Sequence, residues 1–170
     1  MATVRPARAA DAPFLREIER QAGERFRDVG MAEIADHDPP SPQVLAIYAN
    51  DGRSWVAIDG DQGAPVGYTL VDLVDGAAHI EQISVLPEFQ GQGVGQRLLA
   101  EVRSWAAQTG RHALTLTTFA EVPWNQPLYE HLGFRVLTES ELGPELRAVR
   151  DAETAHGLDP TTRVCMRLEL

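Results

Sequence analysis

A glycine-rich stretch in the middle of the chain carries the residues best suited to bind a charged ligand. Gln90 to Gln96 reads QGQGVGQ, with glycine at positions 91, 93 and 95. Glycine removes the side chains that would keep a ligand away from the backbone, and the amides at a helix start carry partial positive charge. The stretch therefore predicts an anion site, and a pyrophosphate is its natural occupant.

The spacing of these glycines excludes one common pyrophosphate motif and disfavours another. A P-loop needs GxxxxGK followed by Ser or Thr, and the chain contains no lysine. The dinucleotide fingerprint GxGxxG needs a third glycine at position 96, which is Gln96. A P-loop kinase or GTPase is excluded, and a nicotinamide-dependent enzyme is disfavoured.

The sequence on either side of the glycines predicts a strand before them and a helix after them. Ile80, Ile83, Val85 and Leu86 form an apolar, partly β-branched run that stops at Pro87. After the glycines, apolar residues recur at every fourth position, which predicts an amphipathic helix packed on a sheet. These helical positions are Val94, Leu98, Val102 and Ala106.

At this point the sequence resembles a known family. Gln90, Gly93 and Gly95 match the Q/R-x-x-G-x-G/A signature of the GCN5-related N-acetyltransferases (GNAT). The upstream ISVLP and the downstream LYEHLGF, which looks like the family's fourth helix with its tyrosine, extend the resemblance over most of the chain. The resemblance implies an acetyl-CoA-dependent N-acetyltransferase that uses acetyl-CoA as co-substrate and no metal.

The resemblance also assigns cofactor contacts. In the family, the loop amides hold the pyrophosphate, and the end of the central strand contacts the acetyl and pantetheine groups through its backbone. The matching positions here are Ile83, Ser84, Val85, Gln90, Gly91, Gln92, Gly93, Val94, Gly95 and Gln96. Asn125 resembles the family's cofactor-contacting asparagine, but it precedes Tyr129 by four residues rather than seven, so a helix-capping role stays open.

Tyr129 matches the family tyrosine that protonates the departing thiolate. The unperturbed pKa of a phenol, about 10, lies above that of a thiol, about 8.5, so the phenol is protonated and able to donate. The alternative is a core tyrosine between Leu128 and Leu132.

Glu81 is the candidate general base, acting through water. A carboxylate in an apolar strand is costly to bury unless it is paired, so Glu81 is either functional or paired with an arginine. His79 is the second candidate base, although we expect it to be exposed at the strand end. The next strand offers Thr115, Thr117 and Thr118 on the corresponding face, so a glutamate supplied by that strand is not expected.

The acceptor amine is assigned to the segment from Gly23 to Pro42, which in the family lies across the cleft from the cofactor. Five acids against two arginines in this segment favour a cationic amine, with Glu24 and Asp28 as contacts. Phe26 or Trp124 would line the pocket, and the alternative is that they only pack in the fold. A solvated acidic loop is the alternative. The acceptor class is a small cationic amine or a peptide N-terminus.

The order of predicted elements is consistent with one α/β domain over residues 1–170. The resemblance implies a GNAT-type mixed, mostly antiparallel sheet of six to seven strands flanked by helices, with a central parallel strand pair around the acetyl-CoA site. A strand–helix–strand crossover places 113–119 parallel to 78–86. In the first helix Phe14, Ile18, Ala22 and Phe26 form an i+4 apolar stripe that we expect to be buried, and a thin-striped surface helix is expected within 139–158.

Composition restricts the partners. A hydrophobic fraction of 44% without a membrane-length apolar stretch predicts a soluble protein without membrane contacts. The net charge of −10 argues against nucleic acid. Cys165 is alone and no signal peptide is evident, so a cytoplasmic location is expected.

Two further hypotheses come from the sequence. A non-catalytic acyl-CoA sensor would retain the same glycine loop and is the alternative function. The final strand, 163–170, is expected to lie at a sheet edge, where it could pair with a second subunit in a homodimer.

Overall fold

The structure is a computed structural model that describes residues 2–60 and 62–170. Within these residues the chain forms a seven-stranded sheet in the order β1-β2-β3-β4-β5-β7-β6. The strands are β1 Ala2–Pro6, β2 Ser54–Asp59, β3 Pro65–Val74, β4 Ala77–Val85, β5 Ala113–Phe119, β6 Arg135–Val136 and β7 Arg163–Glu169. The α-helices are α1 Ala12–Gly23, α2 Ala32–Ala35, α3 Pro42–Asn50, α4 Val94–Gln108, α5 Gln126–His131 and α6 Pro144–Ala155.

The predicted mixed sheet is confirmed. β4 and β5 run parallel, with Ala78 opposite Leu114 and His79 opposite Thr115. β1 pairs antiparallel with β2, β2 with β3, and β7 with both β5 and β6. The chain divides into two compact units, which are described separately: unit 1 comprises the residues through Val71 together with Gln82–Val102, and unit 2 comprises Asp72–Glu81 and Arg103–Leu170.

In unit 1, α1 packs on strands β2 and β3 through a stripe that differs from the predicted one. Leu15 and Ile18 are buried, whereas Phe14 is 49% exposed. The prediction that Phe14 faces the core is wrong, because the buried positions of this helix follow a mixed i+3 and i+4 spacing rather than i+4 alone. Both residues belong to a cluster of buried residues that consists of Ala7, Ala12, Leu15, Ile18, Leu45, Val56, Ile58, Tyr68 and Leu70.

Two other helix predictions are confirmed. Ser41 precedes α3, and its Oγ accepts a hydrogen bond from Val44 N at 3.2 Å, which satisfies an otherwise unpaired amide of the first turn. The predicted apolar stripe of α4 is buried along its length, at Val94, Leu98, Val102 and Ala106.

Gly67 on β3 is a position where a side chain has no room. A Cβ there would lie 3.1 Å from Ser84 O and 3.2 Å from Val94 Cγ1. We expect Gly67→Ala to lower the free energy of unfolding by about 1–3 kcal/mol, because a carbonyl fixed in the strand cannot move away. Denaturant titration measures the change. Gly23→Ala is the control, since its Cβ would meet Ala35 Cα at an ordinary 3.8 Å, and equal stability of the two variants would contradict the expectation.

In unit 2, α6 is fixed by the turn between β3 and β4. Asp75 Oδ1 accepts from Glu145 N at 3.0 Å and Asp75 Oδ2 accepts from Leu146 N at 2.9 Å, so one carboxylate caps the start of the helix. Leu146 is buried with Val74, Leu142 and Cys165. The expected surface helix is therefore present, and one residue of its thin stripe enters the core.

The expectation that β7 lies at the sheet edge is wrong. β7 sits between β5 and β6, with Thr117 opposite Cys165 on one side and Arg135 opposite Arg167 on the other. The short β6, which follows α5, occupies the position that a second subunit was expected to take. Searched over the described residues, no helix is long and apolar enough to cross a membrane.

Candidate functional site

The glycine loop of unit 1 connects the end of β4 to the start of α4 through a 3-10 turn at Pro87–Phe89. Gly91 and Gly93 have φ angles of +76° and +82°, a conformation that strains any residue with a Cβ. A Cβ built at either position meets nothing within 4 Å, so the loop presents its backbone on an open side. A loop whose backbone is exposed in this way can accommodate an anionic group close to its amides.

The start of α4 supplies the amides of this loop. Arg97 N donates to Gly93 O at 3.1 Å, which is the hydrogen bond that opens the helix. The amides of Val94, Gly95 and Gln96 precede that bond and have no acceptor in the helix itself. They carry the positive end of the helix dipole, which is the condition for binding a phosphate.

Gln90 holds the loop in place. Its Nε2 donates to Val85 O at 3.0 Å, and its Oε1 accepts from Arg25 Nη1 at 3.3 Å. Gln92 Nε2 likewise donates to Glu88 O at 2.9 Å. The side chains of the two loop glutamines therefore order the loop, which leaves ligand contacts to the backbone.

The end of β4 is arranged in the same way. Ser84 is buried, and its Oγ accepts from Gln82 Nε2 at 2.7 Å. Gln82 O accepts from Thr69 Oγ1 at 2.8 Å. The Ser84 side chain is occupied within the strand, so any contact from Ile83, Ser84 and Val85 to a ligand would fall to the backbone.

A cavity of about 370 Å³ adjoins the glycine loop in unit 1. It is lined by Gln21, Ala22, Glu24, Arg25, Arg27, Asp28, Pro87 and Gln90. Glu24 and Asp28, predicted as acceptor contacts, are part of this lining, whereas the half-buried Phe26 lies outside it. The sequence analysis predicted the acids of this segment as contacts, but it did not predict that Arg25 and Arg27 would line the same cavity.

The charges of this lining are mixed rather than acidic. Arg27 Nε forms an ion pair with Glu24 Oε2 at 2.9 Å, and Arg27 Nη2 pairs with Asp36 Oδ1. Two carboxylates and two guanidinium groups therefore face the cavity. The segment as a whole has more acids than arginines, but the arginines balance the acids in the part that lines the cavity.

In unit 2, His79 is buried, with 1% of its surface accessible. The prediction that it is exposed at the strand end is therefore wrong. Its Nδ1 lies 2.9 Å from Thr115 Oγ1, because the parallel pairing sets His79 opposite Thr115 within the sheet. Burial lowers the pKa of His79, and the nearby carboxylates of Asp72 and Glu153 act in the opposite direction. His79 is thus held mainly neutral at physiological pH.

Glu81 lies two residues further along β4 with a side chain that is 46% exposed. Its Oε2 is 4.0 Å from His79 Nε2. The half-exposed Glu81 does not carry the full desolvation cost of a buried carboxylate, and its functional role stays a prediction. A solvent-accessible carboxylate beside a neutral imidazole is able to accept a proton through water.

Asn125 immediately precedes α5, and Tyr129 lies in the middle of this short helix. Asn125 occupies the position before the helix, and its backbone oxygen accepts from Tyr129 N at 3.0 Å. Among the described residues its side chain makes no capping hydrogen bond, so the capping alternative is wrong for the side chain. The half-buried Tyr129 ring packs edge-to-face on Phe134, at 5.7 Å between ring centroids, which fixes the direction of its hydroxyl.

A carboxylate also reaches the threonine face of β5, although not from β5 itself. Thr117 Oγ1 donates to Glu153 Oε2, and Glu153 Oε1 pairs with Arg163 Nε at 3.0 Å. The Arg163 guanidinium also lies over the Phe119 ring, 4.5 Å from its centroid. Glu153 comes from α6, 36 residues away from Thr117 in the chain, and nothing in the local sequence signals this contact.

Comparison with known proteins bears on what this arrangement does. The family model described as the acetyltransferase (GNAT) family matches residues 13–134. An uncharacterized N-acetyltransferase of Bacillus subtilis (strain 168), YjcF, is 26% identical over 122 residues, which are 69% of this chain and 84% of that protein.

Solved structures match over nearly the whole chain. The ribosomal-protein-S18-alanine N-acetyltransferase from Escherichia coli has a TM-score of 0.69 at 22% identity, covering 99% of this chain and 94% of the other. The PaiA N-acetyltransferase from Thermoplasma acidophilum in complex with coenzyme A has a TM-score of 0.71 at 14% identity, covering 100% and 99%. At these identities the two likenesses establish the fold.

Proposed function

The chain belongs to the GNAT family of acetyltransferases, and on that premise we propose that it transfers an acetyl group from acetyl-CoA directly to a primary amine. The observation that carries the proposal is the glycine loop between β4 and α4. Its positive-φ glycines expose backbone amides on an open side, next to the start of a long helix. The amides from Gly91 to Gln96 are proposed to hold the diphosphate of the cofactor, with Asn125 as a further contact.

The chemistry asks four things of the protein: a held acyl donor, stabilisation of the charge that develops on the carbonyl oxygen, removal of a proton from the amine, and a proton for the thiolate. The backbone of Ile83, Ser84 and Val85 is proposed to position the thioester. The amine nitrogen attacks the carbonyl carbon as the C–S bond breaks. Glu81 accepts the proton of the amine through water, and Tyr129 donates one to the thiolate.

The acceptor is proposed to enter at the cavity that Glu24 and Asp28 line. Phe26 lies outside that lining and stays a proposed acceptor contact. The two carboxylates of the lining would attract an ammonium group of the acceptor, although Arg27 already pairs with Glu24. The name of the Escherichia coli structural neighbour gives an alanine of a ribosomal protein as the acceptor. Because an alanine side chain has no amine, that name supports including peptide N-termini beside small amines.

The experiment that tests this function is release of free thiol from acetyl-CoA against a panel of polyamines, aminoglycosides, amino acids and short peptides. Turnover that depends on one class of amine, with an acetylated product of the matching mass, supports the proposal and names the acceptor. Cofactor binding without turnover on any amine contradicts the transferase and favours a sensor of acyl-CoA.

The role of Glu81 gives a separate prediction. We expect Glu81→Gln to lower kcat about 100-fold or more while leaving the Kd for acetyl-CoA near the wild-type value, because only the proton acceptor is lost. Glu101→Gln, at an exposed position on α4, is the matched control. A wild-type kcat in Glu81→Gln would assign the base elsewhere.

A further inference from the structure

Glu19 is a half-buried carboxylate of unit 1 that has no part in the reaction proposed above. It lies on α1 between the buried Leu15 and Ala22, which share its side of the helix, so a charged group stands in line with the apolar stripe. Its Oε1 accepts a hydrogen bond from the Tyr68 hydroxyl at 2.5 Å. A carboxylate in such a place is costly to bury unless a cation compensates it.

The surroundings of Glu19 compensate its charge only in part. Burial raises the pKa of Glu19, and the Tyr68 hydrogen bond opposes this rise. His37 and Arg16 also oppose it through their charges, but neither forms a hydrogen bond with the carboxylate. Arg16 instead donates its Nε–H to Pro40 O at 3.0 Å. Within the part of the chain that the structure describes, the carboxylate is thus hydrogen-bonded to a phenol and to no cation.

The Tyr68 hydroxyl holds this carboxylate near the end of β4. β3 is hydrogen-bonded to β4 on both sides of Tyr68. The two bonds run from Leu86 N to Val66 O, at 2.8 Å, and from Thr69 Oγ1 to Gln82 O, at 2.8 Å. Tyr68 therefore lies beside the segment 83–85, whose backbone is proposed to position the thioester.

Tyr68 points to the face of the sheet opposite α4. A Cβ on the neighbouring Gly67 would meet Val94 of α4, and successive side chains of a strand point to opposite faces. Tyr68 is buried on the other face, in one cluster with Leu15 of α1. Burial and the Glu19 carboxylate raise the pKa of Tyr68, so its hydroxyl stays protonated and continues to donate.

The same helix connects Glu19 with the cavity proposed for the acceptor. Ala22, three residues after Glu19 and adjacent to it on the helix surface, lines that cavity, whereas Glu19 itself is outside the lining. Glu19 is thus adjacent to a residue of the cavity wall and, through Tyr68, to the strand end at 83–85. An amine that enters at the cavity and reaches the thioester would come near this carboxylate.

We propose that Glu19 is an acceptor-binding residue whose carboxylate, held by the Tyr68 hydroxyl, binds an ammonium group of the acceptor. The inference rests on the proposed function, since it requires that the acceptor is an amine. An ammonium group has three N–H donors and the positive charge that the surroundings of Glu19 supply only in part, so it would form a charge-assisted hydrogen bond. Glu19 would thus favour acceptors that carry a positive charge, beside a cavity whose own charges are balanced.

The test compares Glu19→Gln with Glu17→Gln. Both substitutions remove one negative charge from α1, but Glu17 is exposed and paired with Arg20. The kcat/KM of each variant is measured with acetyl-CoA for butylamine, alanylalanine amide and putrescine, and for the best acceptor of the amine panel. Calorimetry with putrescine in the presence of coenzyme A measures binding without acetyl transfer. We expect Glu19→Gln to lower kcat/KM and to weaken putrescine binding about 10- to 100-fold, and Glu17→Gln to match the wild type.

The three named amines identify which nitrogen is bound. Butylamine and alanylalanine amide carry one ammonium group, and putrescine carries two. A loss in Glu19→Gln that all three share assigns the nitrogen that is acetylated, before it gives up its proton. A loss confined to putrescine assigns a second ammonium group. Both outcomes support the proposal, whereas unchanged kcat/KM and unchanged putrescine binding would overturn it.

A purely structural role of Glu19 is separated by stability and by the cofactor. Glutamine has the shape of glutamate, still accepts from Tyr68 and has no charge to bury, so we expect Glu19→Gln to be at least as stable as the wild type in a denaturant titration. Its Kd for coenzyme A should equal that of the wild type. Lower stability together with weaker coenzyme A binding would overturn the proposal, because a displaced α1 would then be the cause.

Failure of the inference and failure of the proposed function give different results. If the wild-type chain acetylates no amine of the panel, the proposed function fails together with the inference. If the wild type acetylates an amine and Glu19→Gln does so equally well, the inference alone fails.

Discussion

Replacing Gly93 with glutamate is expected to abolish coenzyme A binding. Gly93 has a φ of +82° and its carbonyl oxygen accepts the first hydrogen bond of α4. A glutamate there adds a negative charge on the open side of the loop, where the diphosphate is proposed to lie, and forces a residue with a Cβ into a left-handed conformation. We expect no binding in a calorimetric titration that readily measures the wild type.

The control separates charge at the loop from backbone strain. Gly110 follows the other end of α4 with a φ of +78°, and a Cβ there also meets nothing within 4 Å. Gly110→Glu should therefore lose similar stability and gain the same charge, yet bind coenzyme A as the wild type does. Retained affinity in Gly93→Glu would refute the loop as the cofactor site.

The second large effect is expected from Tyr129→Phe. The phenol donates the proton that the leaving thiolate needs, so its removal should lower kcat about 100-fold or more, within the range known for general acid catalysis. The ring packs edge-to-face on Phe134, and phenylalanine preserves that contact. The Kd for acetyl-CoA should therefore stay within about twofold of the wild-type value, which corresponds to less than about 0.5 kcal/mol of binding free energy.

Tyr48→Phe is the matched control for the loss of a hydroxyl. Tyr48 packs against the core of unit 1, and the Arg53 guanidinium lies 4.8 Å from its ring centroid, a contact that needs only the ring. Its kcat should equal that of the wild type. Wild-type turnover in Tyr129→Phe would remove the general acid assignment, and an equal fall in both variants would indicate a general effect of losing a phenol.

The parts of this fold that follow from local periodicity were predictable. The stripe of α4 is buried as expected, Ser41 caps α3, and the crossover from β4 to β5 is parallel. Each of these depends on residues within a few turns or on a handedness that the backbone imposes. The glycine loop belongs to the same group, because a run of closely spaced glycines between a strand and a helix carries its own conformational signal.

The errors at His79 and β7 have a common physical cause, which is contact between residues far apart in the chain. His79 was expected to be exposed, but Thr115 lies beside it and burial makes its neutral form favourable. β7 was expected at an edge, but the two-residue β6 covers it. Neither Thr115 nor β6 belongs to a sequence pattern from which its contact with His79 or β7 could be predicted.

The charges of the candidate site illustrate the same limit. The segment after α1 contains five acids and two arginines, which suggested an acidic surface. The ion pairs of Arg27 with Glu24 and Asp36 offset much of that charge, and Arg25 turns to the glycine loop. Composition gives the number of charged residues but not the direction in which each side chain points. The mixed charge of the cavity lining could therefore not be predicted from the sequence.

The most direct test of the central claim is a crystal structure of the chain grown with coenzyme A. The account predicts that diphosphate oxygens lie within hydrogen-bond distance, about 2.7–3.2 Å, of backbone amides between Gly91 and Gln96. Coenzyme A bound elsewhere, with these amides facing solvent, would contradict it.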